Sequence, residues 1–286
     1  MTRFLVTGAG GQLGRALVEA LGAEAVGPRS AELDVRDEAA LAAALAEHRP
    51  AWVLNCAAAT KVDRCETEVA WAEAVNARAP GAVARACQAG GAGLVHYSTD
   101  FVFDGLAGRP YVEDDPKHPL SVYGRTKSEG EDAVLAAGLE RCLVLRTQWV
   151  YGPGGRNFPA AILARARAGE PLRVVDDQVG QPTLTLDLAD MTLALVAAVE
   201  AGRARPGLYH AADVGPLSWW DFARKVCDRA GFADTPIERI PSEALALPAP
   251  RPADSTLDCS KLAAALGRAL PTVDEGFERY ARTEGW

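Results

Sequence analysis

Two side chains that could exchange protons, Tyr123 and Lys127, stand four residues apart in the stretch Ser-Val-Tyr-Gly-Arg-Thr-Lys, with nothing apolar between them. On a helix that spacing puts both on one face. A phenol beside an ammonium is raw material for general acid–base chemistry, because a nearby cation favours the ionised phenol. The same spacing is common on solvated helix surfaces, so the pair decides nothing until the rest of the chain is read.

A second chemical feature lies near the N-terminus. Val-Thr-Gly-Ala-Gly-Gly-Gln-Leu-Gly follows a short apolar run and opens a helical one, with Gly8, Gly11 and Gly14 at three-residue intervals. Residues without a Cβ let the backbone turn tightly and approach a pyrophosphate, and the helix N-terminus then offers free N–H groups to the phosphates. Gly14 would let the helix lie close to the strand. Placed between a strand and a helix, this loop predicts a dinucleotide site formed by Gly8, Gly10, Gly11, Gln12, Leu13 and Gly14.

The elements that must carry these groups alternate. Apolar runs at 3–7, 51–55, 93–99 and 142–147, with a weaker one at 23–27, read as buried strands. Helical stretches are expected at 12–21, 37–48 (Asp37 at the N-cap), about 69–89 and about 121–137. That alternation predicts a Rossmann-type α/β fold: a doubly wound parallel sheet covered on both faces. After Tyr151 the rhythm loosens and Pro and Gly become denser. A helix at 187–202 and a strand near 207–212 then return, followed by short helices at 218–230, 261–266 and 273–283. We expect a nucleotide-binding core from 1–149 plus about 187–212. A smaller discontinuous substrate lobe would come from about 150–186 plus 213–286.

Bulk properties narrow the function. The chain has 286 residues, 49% hydrophobic and 24% charged, with a net charge of −8, and no Lys/Arg cluster suited to nucleic acid. No apolar run reaches membrane-spanning length, and the first residues do not read as a signal peptide. The six cysteines are scattered without a Cys-x-x-Cys pair, and none of the four histidines pairs at ligand spacing. This predicts reduced thiols in a cytoplasm and no metal site.

The glycine loop and the Tyr-x-x-x-Lys segment over a hundred residues later together resemble the extended short-chain dehydrogenase/reductase superfamily, the branch acting on nucleotide sugars. Other pieces fall in order: Leu-Asp-Val-Arg-Asp with Asp34 and Val35 for the adenine, and Asn-Cys-Ala-Ala-Ala-Thr with Ala57, Ala58, Ala59 and Thr60 beside the nicotinamide ribose. Asn76 stands where the family has a structural Asn. The resemblance implies that Tyr123 is the general acid, that Lys127 holds the ribose and lowers the tyrosine pKa, and that the Thr99 hydroxyl bonds the substrate oxygen.

Dehydrating members carry an acidic pair at the end of this strand. Here Asp100 is followed by Phe101. Ser-Thr-Asp-Phe-Val-Phe-Asp-Gly, Arg-Thr-Gln-Trp-Val-Tyr-Gly, Asp-Asp-Gln-Val-Gly-Gln-Pro-Thr and Pro-Arg-Pro-Ala-Asp-Ser-Thr-Leu-Asp instead resemble the dTDP-4-dehydrorhamnose reductases over nearly the whole chain. Those enzymes reduce a 4-ketosugar to dTDP-L-rhamnose. The resemblance implies a dTDP-sugar substrate held by Thr99, Asp100, Tyr123, Trp149, Asn157, Phe158 and Arg251, the last suited to a diphosphate. Gln148 departs from the Ser or Thr common before that tryptophan.

No acid ends the second strand and Arg29 follows it, which favours NADPH over NADH through the 2′-phosphate. A homodimer is compatible with the resemblance, but no acidic cluster matches a bridging Mg2+ site. Competing readings are a non-catalytic dinucleotide-binding regulator, like the β subunit of methionine adenosyltransferase, another nucleotide-sugar reductase, or a 4-epimerase. The regulator would not need Thr99, Tyr123 and Lys127 together.

Overall fold

The computed structural model describes residues 3–286. Its first half winds β1 (Phe4–Thr7), α1 (Gln12–Leu21), β2 (Ala25–Val26), α2 (Glu38–His48) and β3 (Trp52–Asn55). Two short helices follow, α3 (Val62–Thr67) and α4 (Val69–Ala72). A π-helical segment, Glu73–Arg78, joins α4 to α5 (Ala79–Gly90). Next come β4 (Gly93–Thr99), α6 (Val122–Ala136) and β5 (Cys142–Thr147). The second half contains β6 (Val150–Tyr151), α7 (Phe158–Arg167), β7 (Leu172–Val175), β8 (Val179–Gly180), β9 (Thr183–Leu184) and α8 (Thr185–Glu200). It closes with β10 (Gly207–His210), β11 (Leu217–Ser218), α9 (Trp219–Arg229), β12 (Ile237–Ile240), α10 (Ser260–Leu266) and α11 (Val273–Thr283).

Six strands form one sheet in the order β10-β5-β4-β3-β1-β2, every pairing parallel. The order reverses between β1 and β3, the switch point at whose strand ends ligands bind in open α/β sheets. The strand sequences are continuous apolar runs because both faces are covered. Phe4, Val6, Leu54, Val95 and Leu143 enter the core on one face. Leu5, Val53, Leu94 and Val144 enter the core on the other. A third apolar cluster gathers Tyr151, Ile162, Leu172, Phe222, Phe277 and Tyr280 around α7, α9 and α11. Among the described residues no helix is long and apolar enough to cross a membrane.

Local chemistry explains the boundaries. Asp37 accepts from the amides of Ala39 and Ala40 (3.0 Å each) and starts α2. Capping boxes, Ser218 with Asp221 and Thr272 with Glu275, start α9 and α11. Two expectations change. The strand expected over 23–27 shrinks to Ala25–Val26, an edge strand paired only with β1, because Gly22–Glu24 closes into a 3-10 turn. The helix expected over 69–89 contains the π segment, which carries Asn76.

One buried ion pair ties the sheet to α6. Arg146 on β5 grips Glu131 with two parallel bonds of 2.8 Å, the side chains being 4% and 1% exposed. Its remaining nitrogen donates to the Glu113 carbonyl at 3.1 Å. Glu131 lies one turn beyond Lys127, so this pair also shapes the charge around the proposed site.

Candidate active site

The glycine loop lies between β1 and α1 and is shaped by close approach. Gly8 has φ +65°, and a Cβ there would stand 2.7 Å from the Ala57 nitrogen; a Cβ on Gly14 would stand 2.4 Å from the Gly8 carbonyl oxygen. No side chain caps the N-terminus of α1. Its first amides are therefore free to receive phosphate oxygens. The side-chain Oε1 of Gln12, the first residue of α1, is buried without a partner. This cradle, with its uncapped amides and small-residue floor, fits the pyrophosphate of a dinucleotide.

The loop opens into a cleft of about 800 Å³ lined from both halves of the chain. Gly8, Gly11, Gln12, Leu13, Gly14, Asp34, Val35, Ala57, Ala58 and Thr60 line it, as do Thr99, Asp100, Tyr123, Lys127, Trp149 and Arg251. Most of the expected site is thus brought together by strands β1 to β5 ending on one side.

Five expected residues fall outside the lining. Gly10 makes no wall of the cleft, and Ala59 turns inward, its backbone held by Asn76 through bonds of 2.8 and 3.1 Å. Arg29 is exposed, and the cation that lines this end is Arg36. Asn157 is consumed as the N-cap of α7: it accepts from the Ala160 amide (2.9 Å) and donates to the Gly152 carbonyl (2.7 Å). Phe158 packs against Trp219 and Phe222. Capping and core packing, rather than ligand contact, account for the last two.

Ser121 caps α6 through the Gly124 amide (3.1 Å), which fixes the helix end carrying Tyr123 and Lys127. Lys127 is 2% exposed, which settles the opening ambiguity against a solvated surface turn. Its ammonium donates to the Tyr97 carbonyl at 2.5 Å. Burial pushes its pKa down to about 8, against the attraction of Glu131. Burial drives the Tyr123 phenol above its ordinary range, opposed by the hydrogen bond with Thr99 and reinforced by the Asp100 charge. Phe101 meets the Tyr123 ring edge-on at 5.4 Å.

Asp100 is 1% exposed and accepts from Thr99 at 2.9 Å and from Ser255 at 2.5 Å. Across the cleft, Trp149 lies flat against Trp219, with ring centroids 3.6 Å apart and planes at 7°. The stack accompanies a left-handed backbone at Trp149, φ +46°, which is uncommon for a bulky residue. Arg251 pairs with Asp63 of α3 at 2.8 Å, bridging the mouth. Sequence reasoning missed Arg36, Trp219, Gln178 and Ser255 as lining residues. Arg36, Gln178 and Ser255 lie in segments that carry the family resemblance, whereas Trp219 left only the signal of two adjacent tryptophans at a helix start. Among the described residues no group of three or more His, Cys, Asp or Glu is arranged to hold a metal ion.

Comparisons with known proteins agree with this geometry. The family model described as the RmlD substrate binding domain matches residues 2–284. A dTDP-4-dehydrorhamnose reductase of Streptomyces griseus is 47% identical over 266 residues, covering 92% of this chain and 88% of the relative. A probable dTDP-4,6-dihydroxy-2-methyloxan-3-one 4-ketoreductase of Streptomyces antibioticus is 45% identical, with 89% and 86% covered. The crystal structure of a dTDP-4-dehydrorhamnose reductase from Bacillus anthracis in complex with NADP superposes with a TM-score of 0.93 at 33% identity, covering 99% of this chain and all of that one. With a parallel Rossmann-type sheet, a dinucleotide cradle and a Thr–Tyr–Lys cleft, the chain belongs to the RmlD substrate-binding family of extended short-chain reductases.

Proposed function

We propose that this enzyme reduces the 4-keto group of dTDP-4-dehydrorhamnose with NADPH to give dTDP-L-rhamnose, the last step of dTDP-rhamnose synthesis. The observation that carries the proposal is one cleft holding Thr99, Tyr123 and a buried Lys127 at the end of a dinucleotide cradle. When bound, NADPH supplies the hydride. Tyr123 would give its proton to the ketone oxygen, and Lys127 would hold the nicotinamide ribose. The stacked face of Trp149 and Trp219 offers an apolar plate for the methyl and C–H face of a deoxysugar. The test is a substrate comparison. dTDP-4-dehydrorhamnose should exceed other dTDP-4-ketosugars, including that of the Streptomyces antibioticus relative, by at least about tenfold in kcat/KM. A reversed order assigns the enzyme to the other ketosugar.

Arg251 is proposed to receive the diphosphate of the substrate, since its guanidinium lines the mouth and already favours an oxyanion partner, Asp63. Arg251→Ala should raise the KM for the nucleotide sugar about 10–100-fold, the range for losing a charged hydrogen bond, with kcat little changed. An unchanged KM removes Arg251 from the substrate end.

Arg36 takes the cofactor role expected of Arg29. Its fork rests on Asp34, Nε to Oδ1 at 2.9 Å and Nη2 to Oδ2 at 2.5 Å, with half of the side chain exposed. An exposed pair of this kind contributes little and exchanges readily for a phosphate. Arg36→Ala should weaken NADPH binding about tenfold and leave NADH binding unchanged, as read by nicotinamide fluorescence. The same shift in Arg29→Ala, but not Arg36→Ala, would return the role to Arg29.

A further inference from the structure

Three stretches far apart in the sequence meet at one buried amide, the side chain of Gln148 just past the end of β5. Its Nε2 donates to Oε1 of Gln181 at 2.7 Å and to the Ser255 carbonyl at 3.3 Å, and its Oε1 accepts from the Gln181 amide at 3.0 Å. Oε1 of Gln181 also accepts from the Leu257 amide at 2.9 Å. Gln148 and Gln181 are 2% and 3% exposed. A primary amide has two N–H groups and one carbonyl oxygen. Both N–H groups of Gln148 are spent on the protein, so this residue of the cleft wall has no donor left for a ligand and acts through its neighbours.

The neighbour it bears on is Trp149. The left-handed backbone there, φ +46°, is one a bulky residue keeps only where its surroundings impose it. The Gln148 clamp fixes the residue before it, and the Thr183 amide donates to the Trp149 carbonyl at 3.3 Å. A Cβ on Gly180 would stand 2.6 Å from both Cε2 of the Trp149 indole and Oε1 of Gln148, so the absent side chain at 180 makes room for ring and amide together. Gly180 belongs to β8, whose antiparallel pairing with β11 places Leu217 opposite Gly180 and Ser218 opposite Val179. That ladder delivers Trp219 at the start of α9, where its indole N–H donates to Oε1 of Gln178 at 3.2 Å. The two indoles then meet with centroids 3.6 Å apart and planes at 7°.

We propose that Gln148 is a positioning residue for the sugar end of the cleft: by tying the end of β5 to the chain between β8 and β9 and to residues 255–257, it holds Trp149 in its left-handed conformation and its indole on Trp219. The inference rests on the ketosugar-reductase reading, in which those rings face the deoxysugar. A side chain at 148 without the amide leaves the Gln181 N–H and the Ser255 carbonyl without this partner, and it frees Trp149 to relax toward an ordinary backbone conformation. The cofactor cradle is built on β1 and α1 and shares none of these bonds. Loss of the joint therefore falls on the sugar and not on the dinucleotide.

The test is circular dichroism of the indole bands, where two stacked indoles give a coupled pair of opposite sign, together with separate KM values for NADPH and for dTDP-4-dehydrorhamnose. Trp219→Phe identifies the coupled signal by removing one indole. Gln148→Met keeps a side chain of similar length without its hydrogen bonds, and Gly180→Ala strikes the same joint while leaving Gln148 in place. Both should bind NADPH as the wild type does and lose the coupled signal. Both should also raise the ketosugar KM roughly tenfold, with kcat changed less and the KM for NADPH unchanged. A coupled signal that persists in Gln148→Met overturns the proposal. So does its loss without a rise in the ketosugar KM, or loss of NADPH binding in both variants. A wild type that oxidises NADPH with no ketosugar would instead remove the reductase reading, and the dichroism would still decide whether Gln148 holds the stack.

Discussion

Replacing Tyr123 by Phe is expected to leave NADPH binding intact and to lower kcat by about 10²–10⁴-fold, the usual contribution of a positioned general acid. The substitution removes only the hydroxyl. The ring keeps its edge contact with Phe101, and the α6 cap at Ser121 is untouched. The cradle at Gly8 and Gly14 is built from backbone, so cofactor affinity has no reason to change. What disappears is the proton. In the wild type the Thr99 proton is directed at Asp100. Near-normal turnover, followed by NADPH absorbance in steady state and single turnover, would remove Tyr123 from the acid role.

The second large effect is on stability. Arg146→Met should cost about 3–5 kcal/mol, because it leaves the Glu131 carboxylate buried without its two-pronged partner. For a chain of this size that lowers Tm by on the order of 10 °C. Lys117, 3.5 Å away on the other side, offers only partial replacement. Removing both charges, as in Arg146→Met with Glu131→Met, should recover most of the loss, since a well-packed apolar pair is often as stable as a buried ion pair. Activity should not recover in parallel. Glu131 also holds up the Lys127 charge, so without it burial draws that pKa below about 8. Lys127 then loses its proton within the neutral range, and turnover should fall off at a lower pH than in the wild type. Thermal unfolding and pH profiles of the single and double variants check the two parts separately. A single variant as stable as the wild type would contradict the first.

Much of the fold was legible because its determinants are local. The runs that became β4 (Gly93–Thr99) and β5 (Cys142–Thr147) begin apolar and are buried at every position, the form a strand takes when both faces are covered. Asp37 announced the start of α2, and the expected span of α11 is the observed Val273–Thr283. The chemistry of Tyr123 and Lys127 was legible only through the company they keep, since the same spacing fits a surface helix. Burial of Lys127 is a tertiary fact, produced by packing α6 against β4 and the π segment.

The expected residues that fall outside the cleft lining share a cause. Arg29 and Arg36 sit in one loop, and which of them meets the cleft depends on how that loop folds back, not on distance along the chain. Asn157 and Phe158 are polar and aromatic groups near a Gly-rich turn, a pattern shared by ligand sites and helix starts; here the helix start claimed them. Ser255 and Trp219 reach the cleft through nonlocal pairing and stacking, so the quoted motif around Ser255 and the paired tryptophans at 219 and 220 could not say which side chain would line it.

The most direct measurement mixes the purified protein with NADPH and enzymatically generated dTDP-4-dehydrorhamnose and follows the loss of reduced nicotinamide absorbance, with the sugar product identified by mass spectrometry and NMR. Substrate-dependent oxidation with one equivalent of dTDP-L-rhamnose formed per NADPH consumed is the expected result. NADPH that binds but is not oxidised in the presence of that sugar would contradict the central claim.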